Sequence, residues 1–234
     1  AIVAVAALSL PVRVTAENTF PVDAVGRLVL NGRHVCTAFT IRSEQVPSLP
    51  RSEAPTYRNW LVTAGHCVDQ LMPRGQLSYI ANSHGGVIRY PAEAYHVVTV
   101  GYSSAGWGLD VAVLGYWTSH PVATLEPMFN YPLGVGDWLL TAGFPRGVLS
   151  FSVGRYQGTN EAQQLLVDAR LSRGSSGGPV LILGTRKAIG IIVEGTIKPT
   201  LNDAAPGACV FTECPLDRPY RAVPIDWILR VIPW

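Results

Sequence analysis

The strongest constraint on this sequence is its rhythm. Short runs rich in Val, Ile, Leu, Thr and aromatic residues are cut apart by Gly and Pro, and helical recurrence is nearly absent. AVGRLVL (24–30), CTAFTIR (36–42), WLVTAG (60–65), HVVTVGY (96–102) and LDVAVLGYW (109–117) form one series. DWLLTAG (137–143), VLSFSVGRY (148–156), QLLVDA (164–169), GPVLIL (178–183) and AIGIIVEG (188–195) form a second. These residue types suit a pleated, half-buried surface, and the turn-forming clusters between them mark strand ends. The sequence therefore predicts an all-β body built from two sets of strands.

A Pro-rich crossing, SHPVATLEPMFNYPLGVG, separates the two series and is the expected linker. SEQVPSLPRSEAPTYRN (43–59) reads as a long surface loop. Helical signal is confined to the end of the chain: in AVPIDWILRVI, Pro224 suits a first helical turn and Ile225, Ile228 and Leu229 share a face. Trp227 is expected to pack that helix onto the body.

Charge excludes several classes. Only 15% of residues are charged, against about 25% in an average globular domain, and the formal net charge is +2. Disorder needs the opposite balance of low hydrophobicity and high charge. Binding to nucleic acid through an electrostatic footprint needs a basic excess that the sequence lacks. The 234 residues suffice to bury a large core without relying on disulfides.

The opening stretch AIVAVAALSLPV (1–12) is apolar but shorter than the roughly 20 residues a membrane-spanning helix requires. It reads as a buried first strand or an apolar entry arm, with a signal-peptide remnant as the alternative. Four cysteines, Cys36, Cys67, Cys209 and Cys214, allow three pairings, and none forms a C-x-x-C metal knuckle. Two disulfides would point to an oxidising, extracytoplasmic compartment. His34, His84, His96 and His120 have no metal-ligand spacing, and neither a metal nor a cofactor is expected.

Three segments carry chemistry: LVTAGHC, ending in His66 and Cys67; WGLDVAVL, with Asp110; and SRGSSGGPVL, with Ser176 inside G-x-S-G-G-P. A serine hydroxyl becomes a useful nucleophile when an imidazole accepts its proton. The imidazole in turn needs one tautomer and a carboxylate that stabilises its cation. Glycines at 174, 177 and 178 permit a sharp turn around Ser176 and let the Gly174 and Ser176 amides converge on a developing oxyanion.

Taken in the order His, Asp, Ser, these segments resemble the chymotrypsin-like, or trypsin-fold, serine proteases over most of the chain. The resemblance implies two six-stranded antiparallel Greek-key β-barrels with a short C-terminal helix. Residues 1–118 would form the barrel carrying His66 and Asp110, 119–222 the barrel carrying Ser176, and 223–234 the helix. It implies His66 as general base, Asp110 as its orienter, Ser176 as nucleophile and disulfides Cys36–Cys67 and Cys209–Cys214. TAGFPRG and VDARLSRGSSGGPV are closest in style to the bacterial, HtrA-type branch, here without a PDZ-like domain.

Two departures refine the expectation. Digestive members of the family carry an Asp just before the nucleophile to pair with a cleaved amino terminus, and here that position is Ser175. Activation by amino-terminal insertion is therefore not expected, and the loop from Arg170 to Ser176 should be set by its own contacts. In the family this sequence resembles, the position six before the nucleophile lies near the base of the primary pocket, where Lys/Arg specificity would want an acid, and here it is Arg170. It either favours acidic residues or points into solvent. Val193, Glu194 and Gly195 resemble the pocket wall and substrate-pairing strand, and small or medium apolar side chains are the default preference.

The expected activity is serine endopeptidase action on a protein or peptide substrate by a monomer, without nucleic acid or a membrane span. The alternatives are a catalytically silent homologue acting as a binding module, or a dedicated regulatory or self-processing protease. GSSGG also contains the G-x-S-x-G pattern of α/β-hydrolases, but that fold alternates strands with helices and runs Ser, Asp, His. Neither feature occurs here.

Overall fold

A computed structural model describes residues 20–47, 56–69, 77–83, 86–99, 110–194 and 219–230. Its first sheet is built from β1 (Val25–Leu30), β2 (Arg33–Val46), β3 (Thr56–Thr63), β4 (Leu77–Ser83), β5 (Gly86–Pro91), β6 (Glu93–Thr99) and β7 (Asp110–Thr118). Their order is β5-β4-β1-β2-β3-β7-β6, and every neighbouring pair is antiparallel. One α-helical turn, α1 (His66–Asp69), follows β3.

The second sheet contains β8 (Glu126–Pro127), β9 (Trp138–Gly143), β10 (Ser150–Thr159), β11 (Leu165–Val167), β12 (Pro179–Ile182), β13 (Lys187–Glu194) and β14 (Tyr220–Pro224). Six of these run β12-β9-β10-β11-β14-β13, and a β12–β13 pairing closes the ring. The two-residue β8 is added in parallel to β13. This is the two-barrel all-β architecture that the resemblance implied; among the described residues the first sheet has seven strands rather than six, and the second has six in the ring plus β8.

The core explains why the two halves meet. Buried residues of the first sheet, among them Phe39, Leu61, Val111 and Leu114, form one apolar cluster with Phe144, Leu181, Ile191 and Val223 of the second half. β7 is buried at every position but Trp117, as a strand covered on both faces must be. A separate cluster of Leu139, Tyr156, Leu165, Val167, Val180 and Ile192 belongs to the second half alone. The crossing between sheets is tied down through Leu125, fully buried, whose N–H donates to the Thr40 carbonyl at 2.8 Å.

Tyrosines occupy the first sheet's interior. Tyr79 and Tyr90 each pack at a tilt against Tyr116, with ring centroids 5.1 and 4.9 Å apart. The Tyr116 hydroxyl shares a 3.2 Å hydrogen bond with Thr40 Oγ1. Burial pushes the Tyr79 and Tyr116 hydroxyls well above the usual tyrosine range, because it penalises the phenolate.

Several elements differ from the sequence reading. Segment 43–59 is not all loop: β2 continues to Val46 and β3 begins at Thr56, pairing Ser43 with Asn59 and Glu44 with Arg58. Here Arg42 and Glu44 alternate along β2 and form an ion pair at 2.8 Å, and the polar composition hides a strand although Asn59 opposite is fully buried. The β4–β5 hairpin and β14 are further strands beyond the two series. The terminal helix is a 3₁₀ segment over Ile225–Arg230. With three residues per turn, Ile225 and Ile228 share the buried face, while Leu229 falls off it and is exposed. Trp227 packs against the core. Residues 1–12, Cys209 and Cys214 lie outside the described residues.

Candidate active site

Asp110 opens β7, and its carboxyl group is buried against the first residue of α1. Its Oδ1 accepts the His66 backbone N–H at 2.6 Å, and its Oδ2 pairs with His66 Nδ1, also at 2.6 Å. One carboxylate thus fixes both the main chain and the ring of the same histidine. An acceptor-only carboxylate at Nδ1 selects the tautomer in which Nδ1 carries the proton and Nε2 is the ring's acceptor. Nε2 lies 3.6 Å from Cys67 Sγ. That sulfur is bonded to Cys36 Sγ and has no proton to give.

The backbone around α1 explains this placement. Cys67 and Val68 donate their N–H groups to the Ala64 and Gly65 carbonyls, closing a tight turn directly after β3. The Cys36–Cys67 disulfide then clamps that turn to β2, as the resemblance implied. Cys36, His66 and Cys67 are the described group whose potential metal-ligating atoms cluster, within 4.8 Å of one another. Both sulfurs are joined to each other, and it is the thiolate that serves as a metal ligand.

Ser176 arrives from the other half on a loop fastened to this face. The Thr37 N–H donates to the Ser176 carbonyl at 2.8 Å, and the Gly177 N–H donates to Ile192 O at 2.6 Å. Gly177 has φ +83, and a Cβ there would run deep into Thr37 O and Thr63 Oγ1. Only glycine lets the loop approach β2 and β3 this closely, just ahead of Ala64, Gly65 and His66. Gly174, with φ +98, also occupies the left-handed region. The Ser175 N–H donates to Ser172 O at 3.0 Å, and its side chain is buried beside Gly143.

The loop is not set by its own contacts alone. Thr37 Oγ1 donates to Gly174 O at 2.6 Å and accepts the Phe144 N–H at 2.9 Å. Nothing in the sequence distinguished Thr37 from the other residues of a strand-like run. Its importance comes from contacts with partners more than a hundred positions away.

The expected pocket residues are less gathered. Arg170 is exposed, and its N–H is held by Ser152 Oγ at 2.8 Å. The Val193 side chain is buried in the shared core. The β13–β14 register shifts between Ile192 and Glu194, leaving Val193 at the irregularity. Glu194 closes β13, and Gly195 lies outside the described residues.

Comparison with known proteins agrees with this fold. The fold resembles the crystal structure of the MamO protease domain from Magnetospirillum magneticum (apo form), with TM-score 0.59 and 17% identity, covering 90% of this chain and 96% of that one. It also resembles the crystal structure of Deg5, with TM-score 0.60 and 16% identity, covering 89% of this chain and 87% of that one. No curated protein gives a significant sequence match. A family description does: the trypsin-like peptidase domain matches residues 36–191, a stretch that takes in His66, Asp110 and Ser176. Since that stretch is well over half of the 234 residues, the chain belongs to the trypsin-like peptidase family.

Proposed function

We propose that the chain is an active serine endopeptidase that hydrolyses peptide bonds through an acyl-enzyme intermediate. The observation that carries this reading is the double engagement of His66 by Asp110, at 2.6 Å to the backbone N–H and 2.6 Å to Nδ1. It orients an imidazole whose acceptor nitrogen suits the deprotonation of a serine. In this reading Ser176 attacks the scissile carbonyl as His66 takes its proton, and Asp110 stabilises the resulting imidazolium. The Gly174 and Ser176 N–H groups receive the oxyanion, and His66 then protonates the leaving amine. Water repeats the sequence on the acyl-enzyme.

Supporting features belong to the same proposal. In the proposed division residues 1–118 carry the base, 119–222 the nucleophile and 223–234 the closing helix. Val193, set at a break in the ladder register, offers its backbone to an extended substrate, with Glu194 and Gly195 continuing that strand. Small or medium apolar residues would precede the cleaved bond. The exposed Arg170 then contributes little to the pocket. The Cys36–Cys67 disulfide favours a secreted or periplasmic location. No helix among the described residues is long and apolar enough to cross a membrane.

A fluorophosphonate probe tests the central step by comparing the native chain with Ser176→Ala. Labelling that disappears in the variant supports an activated serine. Labelling that is absent from the native chain, or unchanged in the variant, puts the silent binding module first. Peptide-library profiling addresses the pocket: cleavage concentrated after Lys or Arg overturns the apolar preference.

A further inference from the structure

We propose that Thr37 is a positioning residue whose hydroxyl holds the oxyanion loop in its donor-presenting geometry; this rests on the endopeptidase reading above. Thr37 lies on β2, one residue beyond the disulfide, and is fully buried. All of its polar groups are committed. Its N–H donates to Ser176 O at 2.8 Å, its carbonyl accepts Thr63 Oγ1 at 2.7 Å, and its hydroxyl links Gly174 O with the Phe144 N–H. The first two bonds use backbone oxygen or nitrogen of residue 37 and survive a change of its side chain. The hydroxyl links are the ones a substitution removes.

The geometry of trans peptides gives those links a directional consequence, because each C=O points opposite to the N–H of its own peptide unit. Fixing Gly174 O on Thr37 therefore turns the Ser175 N–H the other way, where it meets Ser172 O. The preceding unit is controlled one step further on. Arg173 O accepts the Arg146 N–H at 3.4 Å, from the turn that Phe144 begins. The Thr37 hydroxyl anchors the start of that turn. One hydroxyl thus restrains both peptide units flanking Gly174, a residue whose positive φ leaves its backbone easy to rotate once released.

Thr37→Val keeps the branched shape and removes the hydroxyl, whereas Thr37→Ser keeps the hydroxyl. Each is compared with the native chain for Ser176 labelling, for kcat and KM on a peptide substrate, and for thermal melting. Hydrogen exchange across residues 170–178 is measured for both substitutions in the Ser176→Ala background. The expected result for Thr37→Val is kcat lower by about 10–100-fold, the scale of an ångström-sized misplacement, with KM changed less than about threefold. Exchange in 170–178 should rise at temperatures where the variant remains folded. Thr37→Ser should stay within about threefold of native kcat. Unchanged exchange in Thr37→Val, or equal loss of kcat in both variants, overturns the proposal. If the native chain does not label at Ser176, the endopeptidase reading fails and the positioning role falls with it. Native labelling with unchanged Thr37→Val kinetics overturns the positioning role alone.

Discussion

His66, on the turn α1, and Asp110, at the start of β7, meet within the first half through two short bonds to a single carboxylate, whereas the Ser176 loop is strung between both sheets largely by backbone groups. The first arrangement depends on the chemistry of one side chain. The second depends on close approach: glycine at 177, the buried Ser175 and the Thr37 bridge. Changes to the first half should therefore alter catalysis with the fold intact. Changes to the second should disturb fold and catalysis together.

The sharpest break is Asp110→Asn. The amide can turn its NH2 toward Nδ1, which favours the tautomer with the proton on Nε2 and removes the ring's acceptor. We expect kcat to fall about 10⁴-fold, with KM and the melting temperature little changed. A loss of less than tenfold in single-turnover acylation would contradict the assigned role.

Gly177→Ala tests the opposite half. Its Cβ would collide with Thr37 O and Thr63 Oγ1 at a backbone angle that disfavours any side chain. Overpacking and the left-handed conformation together should cost on the order of 3–5 kcal/mol. The denaturation midpoint should drop, along with Ser176 labelling of the molecules that still fold. A near-native midpoint would show that the loop has slack this packing denies.

Breaking the clamp between β2 and α1 should have a smaller effect that spans the comparison. With both Cys36 and Cys67 changed to Ala, we expect roughly 3–4 kcal/mol of lost stability, the usual scale for a closed loop of this order. The separation between the cysteines is 31 residues. Chemical denaturation of the double variant gives the number directly.

The smallest effect lies away from the site. Tyr116→Phe removes the partner of Thr40 Oγ1 and should cost about 1 kcal/mol. The same tyrosines set an alkaline limit. Folding raises the Tyr79 and Tyr116 values above those of the unfolded chain, so the unfolded state releases its protons first. Their stabilising contribution is complete below about pH 10 and declines as pH rises above it. Urea midpoints should fall between pH 9 and pH 11, and ultraviolet titration should show both phenols ionising only as the chain unfolds. Reversible ionisation of both in the native state would count against their burial.

The sequence was most readable where local pattern and chemistry coincide. Val111 to Tyr116 are apolar enough to mark a covered strand, and HC, LDVAV and GSSGGP carry residue types whose joint use is restrictive. It was least readable where meaning comes from a distant partner. Glu44 and Arg58 look like loop charges until their strands pair, and Thr37 is an ordinary strand threonine until residues 144, 174 and 176 reach it. Leu229 fits an α-helical stripe on paper, but a 3₁₀ segment turns it outward.

The threonine bridge also bears on when activity begins. A ribosome completes β2, β3 and β7 first, so the histidine and its carboxylate can be in place while the nucleophile has yet to be made. When Ser176 emerges, its loop still lacks the support of β13, whose Ile192 accepts the Gly177 N–H and donates to the Gly178 carbonyl. On the proposed function, the cutting machinery is therefore assembled late, by the docking that joins the two halves. If the proposed function holds, a half-folded chain has its histidine and carboxylate in place but not the docked serine loop, and catalysis becomes a property of the completed fold alone.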